Sequence, residues 1–370
     1  MSAAAPGVSL MQARPHQPAP MARTRSTTVS GGDRLIAGLD LGGTKIAAVL
    51  AHRQGLIGRS RALVPADTGA QGLAPLMREL IDECCRQAGV AIDDISSVGV
   101  SSCGPFGRDP QGGLTILAPN LPHQGRVPGQ AQAGDRSAVT QASGAAAQTG
   151  LPLGRELDAL LPAVTIVNDA AAALLAEHRF GVLHGAEHCA YMTWSTGIGF
   201  GLMSDGRLLR GKHGNAGHAG HAVPPSIIDG DPVCGCGNVG DLESLAGGAA
   251  LARAWGASPE SLFAAARSGE PSARRLIERA IDAVAAALYN LVVTLDLERV
   301  AIGGGLFGAQ RDSLLEPLRA RVLDDPRRRG LAGMLESVRI EPVADPARTA
   351  ELGALCIVMP DDWAGSGFHH

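Results

Sequence analysis

Gly38-Leu39-Asp40-Leu41-Gly42-Gly43-Thr44-Lys45 is the stretch on which the reading of this chain turns. The apolar run Arg34 to Leu39 leads into it, and Lys45 to Leu50 resumes a strand pattern beyond it, so the flanks predict a β-hairpin that opens a sheet. Its glycines let the backbone turn sharply and bring N–H groups to an anion, while Asp40 can hold a magnesium-bound water and Thr44 offers a hydroxyl donor. Taken alone, the stretch is equally a plain hairpin turn. Two more glycine turns follow strand-like runs. Ser195-Thr196-Gly197-Ile198-Gly199 lies in the stretch Cys189 to Leu209, which predicts a second sheet, and Gly303-Gly304-Gly305 follows Arg299 to Ile302.

Working outward, Leu56 to Val64 supplies a third strand, Leu73 to Gly89 has helical periodicity, and Ser96 to Val100 reads as a buried strand. Val164 to Val167 is strand-like and an Ala-rich helix runs from Ala170 to about His178, which places Asp169 where a strand becomes a helix. Helices are expected at Leu242 to Trp255, Pro259 to Ser268 and Ser272 to Leu295. The order is mixed α/β. Gly125 to Thr149 is Gly-, Gln-, Ala- and Ser-rich, the composition of a surface insertion. Residues 1–33 are expected to form a disordered leader, because Pro15, Pro18 and Pro20 oppose the amphipathic helix of a transit peptide.

Composition narrows the function. A formal net charge of -4 gives no reason to expect a nucleic-acid partner, and 3% aromatic residues leave little material for base stacking or membrane-interface belts. No run is long and apolar enough to span a bilayer. Seven cysteines, an odd number at spacings unlike a disulfide framework, are expected to be reduced thiols in a cytoplasmic protein.

The three turns, in this order, match the phosphate-one, phosphate-two and adenosine segments of actin-like sugar kinases. With Gly104-Pro105, Pro119-Asn120-Leu121-Pro122, Asn168-Asp169-Ala170, Ala216-Gly217-His218-Ala219-Gly220-His221 and Cys234-Gly235-Cys236-Gly237, the chain from about Leu35 to about Met359 resembles the ROK family (repressors, open reading frames and kinases). The resemblance implies an actin-like ATPase, that is, a duplicated ribonuclease H-like α/β fold of two lobes around a central cleft. Residues 34–167 with about 346–362 would form a smaller N-terminal lobe, and 168–345 a larger C-terminal lobe.

It also implies roles. ATP with Mg2+ would lie on Asp40, Gly42, Gly43, Thr44, Lys45, Thr196, Gly197, Gly303, Gly304 and Gly305. A hexose would face Gly104, Asn120, Asn168, Asp169, His218, His221 and Glu243, with Asp169 as general base toward the 6-hydroxyl. Without that context, an Asn-Asp pair before a helix is more often an N-cap. Glucose is the default acceptor by frequency in the family, and a homodimer is expected.

Three positions depart from the family pattern. His218 stands where Glu is usual, so His218→Glu should shift sugar preference. His123-Gln124 follow the Pro-Asn-Leu-Pro loop where Gly-Trp is usual. Asp241 takes the place of the last zinc-ligating Cys, leaving His221, Cys234, Cys236 and Asp241 as a candidate structural Zn2+ site that the metal's chemistry still accepts. The alternatives are a sugar-binding pseudokinase and a sugar-responsive regulator without a DNA-binding domain. Against the second, only 39 Pro-rich residues precede Asp40 where that branch carries a winged helix.

Overall fold

The computed structural model describes residues 34–64, 70–117, 150–223, 232–363 and 368. The expected leader, Asn120, His123-Gln124 and the Gly125 to Thr149 insertion lie outside them. The expected hairpin forms: β1 (Leu35–Leu41) pairs antiparallel with β2 (Lys45–His52), and Gly42 N donates to Lys45 O at 3.0 Å across the turn. β1 is buried along nearly its whole length because it is a central strand with both faces covered. β3 (Gly55–Leu63) extends the meander, and helix α1 (Ala70–Ala88) covers one face. Its packing is close: a Cβ on Gly58 would lie 2.7 Å from Cys84 O.

β4 (Ile95–Ser102) joins β1 in parallel and runs beyond the expected Val100, carrying Ser101 and Ser102 to the end of the sheet. A two-stranded sheet, β5 (Phe106–Arg108) with β6 (Leu114–Ile116), precedes helix α2 (Leu153–Asp158). β7 (Val164–Asn168) then adds in parallel to β4 and passes directly into helix α3 (Asp169–Phe180), giving the order β3-β2-β1-β4-β7.

The second half repeats the plan. β8 (Cys189–Trp194), β9 (Ile198–Ser204) and β10 (Arg207–Leu208) form the meander. After α4 (Leu242–Ala246), α5 (Gly248–Trp255), α6 (Pro259–Arg267) and α7 (Pro271–Leu295), β11 (Arg299–Gly303) adds in parallel to β8. Helices α8 (Gly305–Ala309), α9 (Arg311–Leu323) and α10 (Ala332–Leu335) lead to β12 (Arg339–Pro342), completing β10-β9-β8-β11-β12. Each sheet has its own apolar core. In the second, Phe200, Phe263 and Phe307 are fully buried, each contributing roughly 1.5–3 kcal/mol.

The last helix, α11 (Pro346–Cys356), returns to the first sheet and packs on β1, β4 and α3. The approach requires glycine: a Cβ on Gly99 would sit 2.0 Å from Ala354 O. None of the seven cysteines is in a disulfide, and no described helix is long and apolar enough to cross a membrane.

One expected element is divided. Leu242 to Trp255 is not a single helix but breaks at Gly247, because Gly248 N and Ala249 N donate to Ser195 O and Thr196 O at 2.8 and 2.9 Å. These N–H groups anchor the second glycine turn instead of continuing α4.

Candidate active site

Parallel strands deliver their carboxyl ends to one edge, where open α/β sheets place their chemistry. Register makes this concrete: Asp40 lies opposite Ser101 on β1 and β4, and Ser102 lies opposite Asn168 on β4 and β7. In the second sheet Thr193 on β8 lies opposite Gly303 on β11. The two edges line one cleft of about 1480 Å3 that includes Asp40, Asp169, Thr196, Gly197, Gly304 and Gly305.

Asp40 accepts from Ser101 Oγ at 2.9 Å. Burial, opposed by that hydrogen bond and reinforced by repulsion from Asp169, pushes its carboxyl up to about 6. Asp169 starts α3, and Ala170 N donates both to Asp169 Oδ1 at 2.8 Å and to Asn168 Oδ1 at 3.0 Å, so Asn168 serves as the N-cap. Asp169 has surface open to the cleft, yet protein walls it in closely enough that burial raises its pKa despite the Ala170 N–H and the neighbouring His218.

His218 places its ring Nδ1 3.0 Å from Asn215 O. Its Nε2 faces Gly104, where a Cβ would come within 2.8 Å of it. Burial lowers the pKa of His218 against the hydrogen bond to Asn215 O, which favours the uncharged ring.

The four residues expected at a metal site converge. One ligand atom from each of His221, Cys234, Cys236 and Asp241 lies within 4.8 Å of the other three. His221 Nδ1 is 3.0 Å from Asp241 Oδ2, which also accepts from Cys236 Sγ at 3.4 Å, and Cys234 Sγ is 3.6 Å from His221 Nδ1. Asp241 is fully buried, and its other oxygen, Oδ1, accepts from Ser244 N at 2.8 Å to cap α4. Burial alone would raise its pKa, but the hydrogen bonds from His221, Ser244 N–H and the two thiols outweigh it and hold the carboxyl low. The Asp241 hydrogen bond raises the pKa of His221 against burial. Burial raises both thiols, so a metal entering must displace their protons. One imidazole, two sulfurs and one carboxylate oxygen match the donors and number of a tetrahedral zinc site.

Glu243 is engaged in a way the sequence did not disclose: Oε2 accepts from Ile198 N at 2.9 Å, and Oε1 faces Cys234 Sγ at 3.7 Å. It therefore joins the second glycine turn to the cysteine loop. Of the expected nucleotide residues, Asp40, Gly42, Gly43, Lys45, Thr196, Gly197, Gly304 and Gly305 line the cleft. Thr44 and Gly303 are not among its lining: Thr44 O accepts from Val64 N, and a Cβ on Gly303 would meet Tyr191 Oη at 2.5 Å within the sheet. Gly304 needs glycine, with a φ of 96° and Trp194 O 2.5 Å from a Cβ. Ser101, Asn215 and Phe106 were not anticipated; the Ser101-Ser102 pair directly after the apolar Val98 to Val100 was the one available signal.

Two sheets of the same topology, one bringing Asp40, Asp169 and a glycine turn and the other two further glycine turns to a shared cleft, have the actin-like ATPase fold. A model of the ROK family matches residues 36–326. The chain is 31% identical over 295 residues to an N-acetylmannosamine kinase of Salmonella typhimurium, covering 78% of this chain and 88% of that one. It superposes on a ROK hexokinase from Thermus thermophilus with a TM-score of 0.68 and 32% identity, covering 87% of this chain and 97% of the other. A ROK glucokinase from Streptomyces griseus, solved with glucose and AMPPNP, shares the fold at a TM-score of 0.57 and 23% identity, over 86% and 97% of the two chains. The chain belongs to the ROK family. Within it, the protein is a phosphotransferase with an alcohol acceptor, a sugar kinase.

Proposed function

We propose that the protein transfers the γ-phosphoryl group of ATP to the 6-hydroxyl of a hexose or amino-hexose, with Asp169 as general base. The observation that carries this reading is the opposition, across one cleft, of Asp169 at the mouth of β7 and the turns at Thr196-Gly197 and Gly304-Gly305.

A primary alcohol attacks phosphorus well only when its proton is accepted as the bond forms. Burial raises Asp169 toward the working pH, which improves it as a base, and the Asn168 cap holds the start of α3 that presents it. Backbone N–H groups of the glycine turns face the donor phosphates, and Lys45 adds a positive charge at the first turn. Bound magnesium would neutralise phosphate charge, and Asp40 is the carboxylate fitted to hold it through water. Zinc on His221, Cys234, Cys236 and Asp241 would be structural, fixing the loop from which His218 and His221 reach the cleft.

The name of the Salmonella relative adds weight to N-acetylmannosamine as acceptor over the glucose default. The test is ADP release over a panel containing N-acetylmannosamine, N-acetylglucosamine, glucose and mannose. One sugar should turn over, and Asp169→Asn should cut kcat by about 10²–10⁴ while calorimetry still shows that sugar binding. Binding without turnover in the wild type would favour the pseudokinase reading. An active Asp169→Asn enzyme would remove the base assignment.

A further inference from the structure

The loop that carries His218 is tied to the opposite wall of the sugar side by one residue. Phe106 N donates to Asn215 Oδ1 at 2.7 Å, and Asn215 Nδ2 donates to Phe106 O at 2.8 Å. The paired contacts fix the amide's orientation, since only Oδ1 can accept and only Nδ2 can donate. Asn215 thus occupies the edge of β5 as a neighbouring strand would. Phe106 is itself 3% exposed and stands two residues after Gly104, the position whose absent side chain leaves room for the His218 ring.

The same residue acts on His218 through its main chain. A carbonyl oxygen has no proton to give, so the 3.0 Å contact between His218 Nδ1 and Asn215 O requires the hydrogen on Nδ1. With the hydrogen placed on Nδ1, an uncharged imidazole has its one ring lone pair on Nε2, which faces Gly104 and the cleft. In place of a carboxylate, the chain therefore presents an uncharged, single-site acceptor. Its complement on a ligand is a hydroxyl or acylamino N–H donor, whereas a cationic ammonium gains no ion pair from it.

We propose that Asn215 is a positioning residue of the sugar subsite, which clamps Phe106 with its amide and holds His218, through its carbonyl, as a hydrogen-bond acceptor toward the sugar. The proposal rests on the kinase reading for its kinetic arm and on the structure alone for its spectroscopic arm.

Asn215→Ala, His218→Ala and the double variant are assayed by ADP release with N-acetylmannosamine and with glucose at saturating ATP, then with ATP varied. Losing the clamp removes two hydrogen bonds, so Asn215→Ala should raise sugar KM about tenfold and leave ATP KM in place. If Asn215 acts through His218, the double variant is no worse than His218→Ala. Additive effects, or an equal rise in ATP KM, overturn the proposal. Should Asn215→Ala not fold, Asn215→Asp sets an acceptor against the Phe106 carbonyl and should give the same sugar-side loss. Independently, ring 15N shifts of His218 in the wild type should report the Nδ1–H tautomer, and an Nε2–H ring overturns the proposal. If the wild type turns over neither sugar, the kinase reading is in question and the NMR result still decides this one.

Discussion

Asp241→Ala should expose how one carboxylate holds both a helix and the candidate metal site. In the metal-free protein the substitution removes the N-cap of α4, Asp241 Oδ1 to Ser244 N, worth roughly 1 kcal/mol. It also removes the partner of His221 Nδ1, a charge-assisted bond worth about 1.5 kcal/mol or somewhat more. The sum, roughly 2–3 kcal/mol, corresponds to a fall in Tm of about 3–4 °C for a chain of this size. Asp241→Ser keeps a capping oxygen and should regain about a third of the loss. The pH dependence separates the ion pair from the cap. Asp241 is held below its usual value, so its contribution is present above about pH 4 and is lost as pH falls through its lowered folded value. His221 is raised, so its contribution is present below about pH 6.5 and is lost as pH rises through its folded value. The Tm difference between wild type and Asp241→Ala, measured by scanning calorimetry after chelation, should therefore peak between about pH 4 and 6.5 and shrink toward the cap alone once pH has risen through the raised value of His221. Added zinc should then raise wild-type Tm more than that of the variant. A difference that stays flat across pH, with Ser behaving as Ala, would refute the reasoning.

Asp40, raised to about 6, is uncharged in the free enzyme below that pH, so kcat/KM should fall on the acid side near it. The same shift means that Asp40 contributes stability below about pH 4 and loses it as pH rises through about 6; Asp40→Asn should accordingly raise Tm at pH 8 more than at pH 4. An unchanging difference would show that the carboxyl is not desolvated. At Gly197, a Cβ would lie 2.3 Å from Glu243 Oε2, so Gly197→Ala should displace that carboxylate from Ile198 N and weaken binding of a nonhydrolysable ATP analogue, with sugar binding less affected. Unaltered analogue affinity by calorimetry would show that Glu243 does not hold the turn.

The hairpin around Asp40, the strand-to-helix junction at Asp169 and the convergence of His221, Cys234, Cys236 and Asp241 were all legible in the sequence. The first two rest on local signals, turn glycines between apolar runs and a capping Asn; the metal set came from the ROK resemblance, since His221 lies 13 residues before Cys234. The break at Gly247 was not legible, because its cause is a hydrogen bond to Ser195, far away in sequence. The same holds for Asn215 and Ser101, whose partners, Phe106 and Asp40, are brought near only by the completed fold. The Glu243 side chain was read as facing sugar from its place after Asp241-Leu242; its bond to Ile198 N depends on how α4 packs against the second sheet.

The duplication explains why the two halves had to diverge where they face each other. By strand position, the turn after Leu41 corresponds to the turn after Trp194, so Asp40 corresponds to Thr193, and its β4 neighbour Ser101 to Gly303 on β11. The first half sets a carboxylate and its hydrogen-bonding serine at this place, and the second sets a neutral hydroxyl beside a glycine that leaves room for Tyr191. A second buried carboxylate at Thr193 would face a cleft in which Asp40 and Asp169 already raise each other's cost of ionisation. It would also oppose the phosphates that the second turn is fitted to meet with N–H groups. At this pair of equivalent positions, therefore, a carboxylate suits one half and a neutral hydroxyl the other.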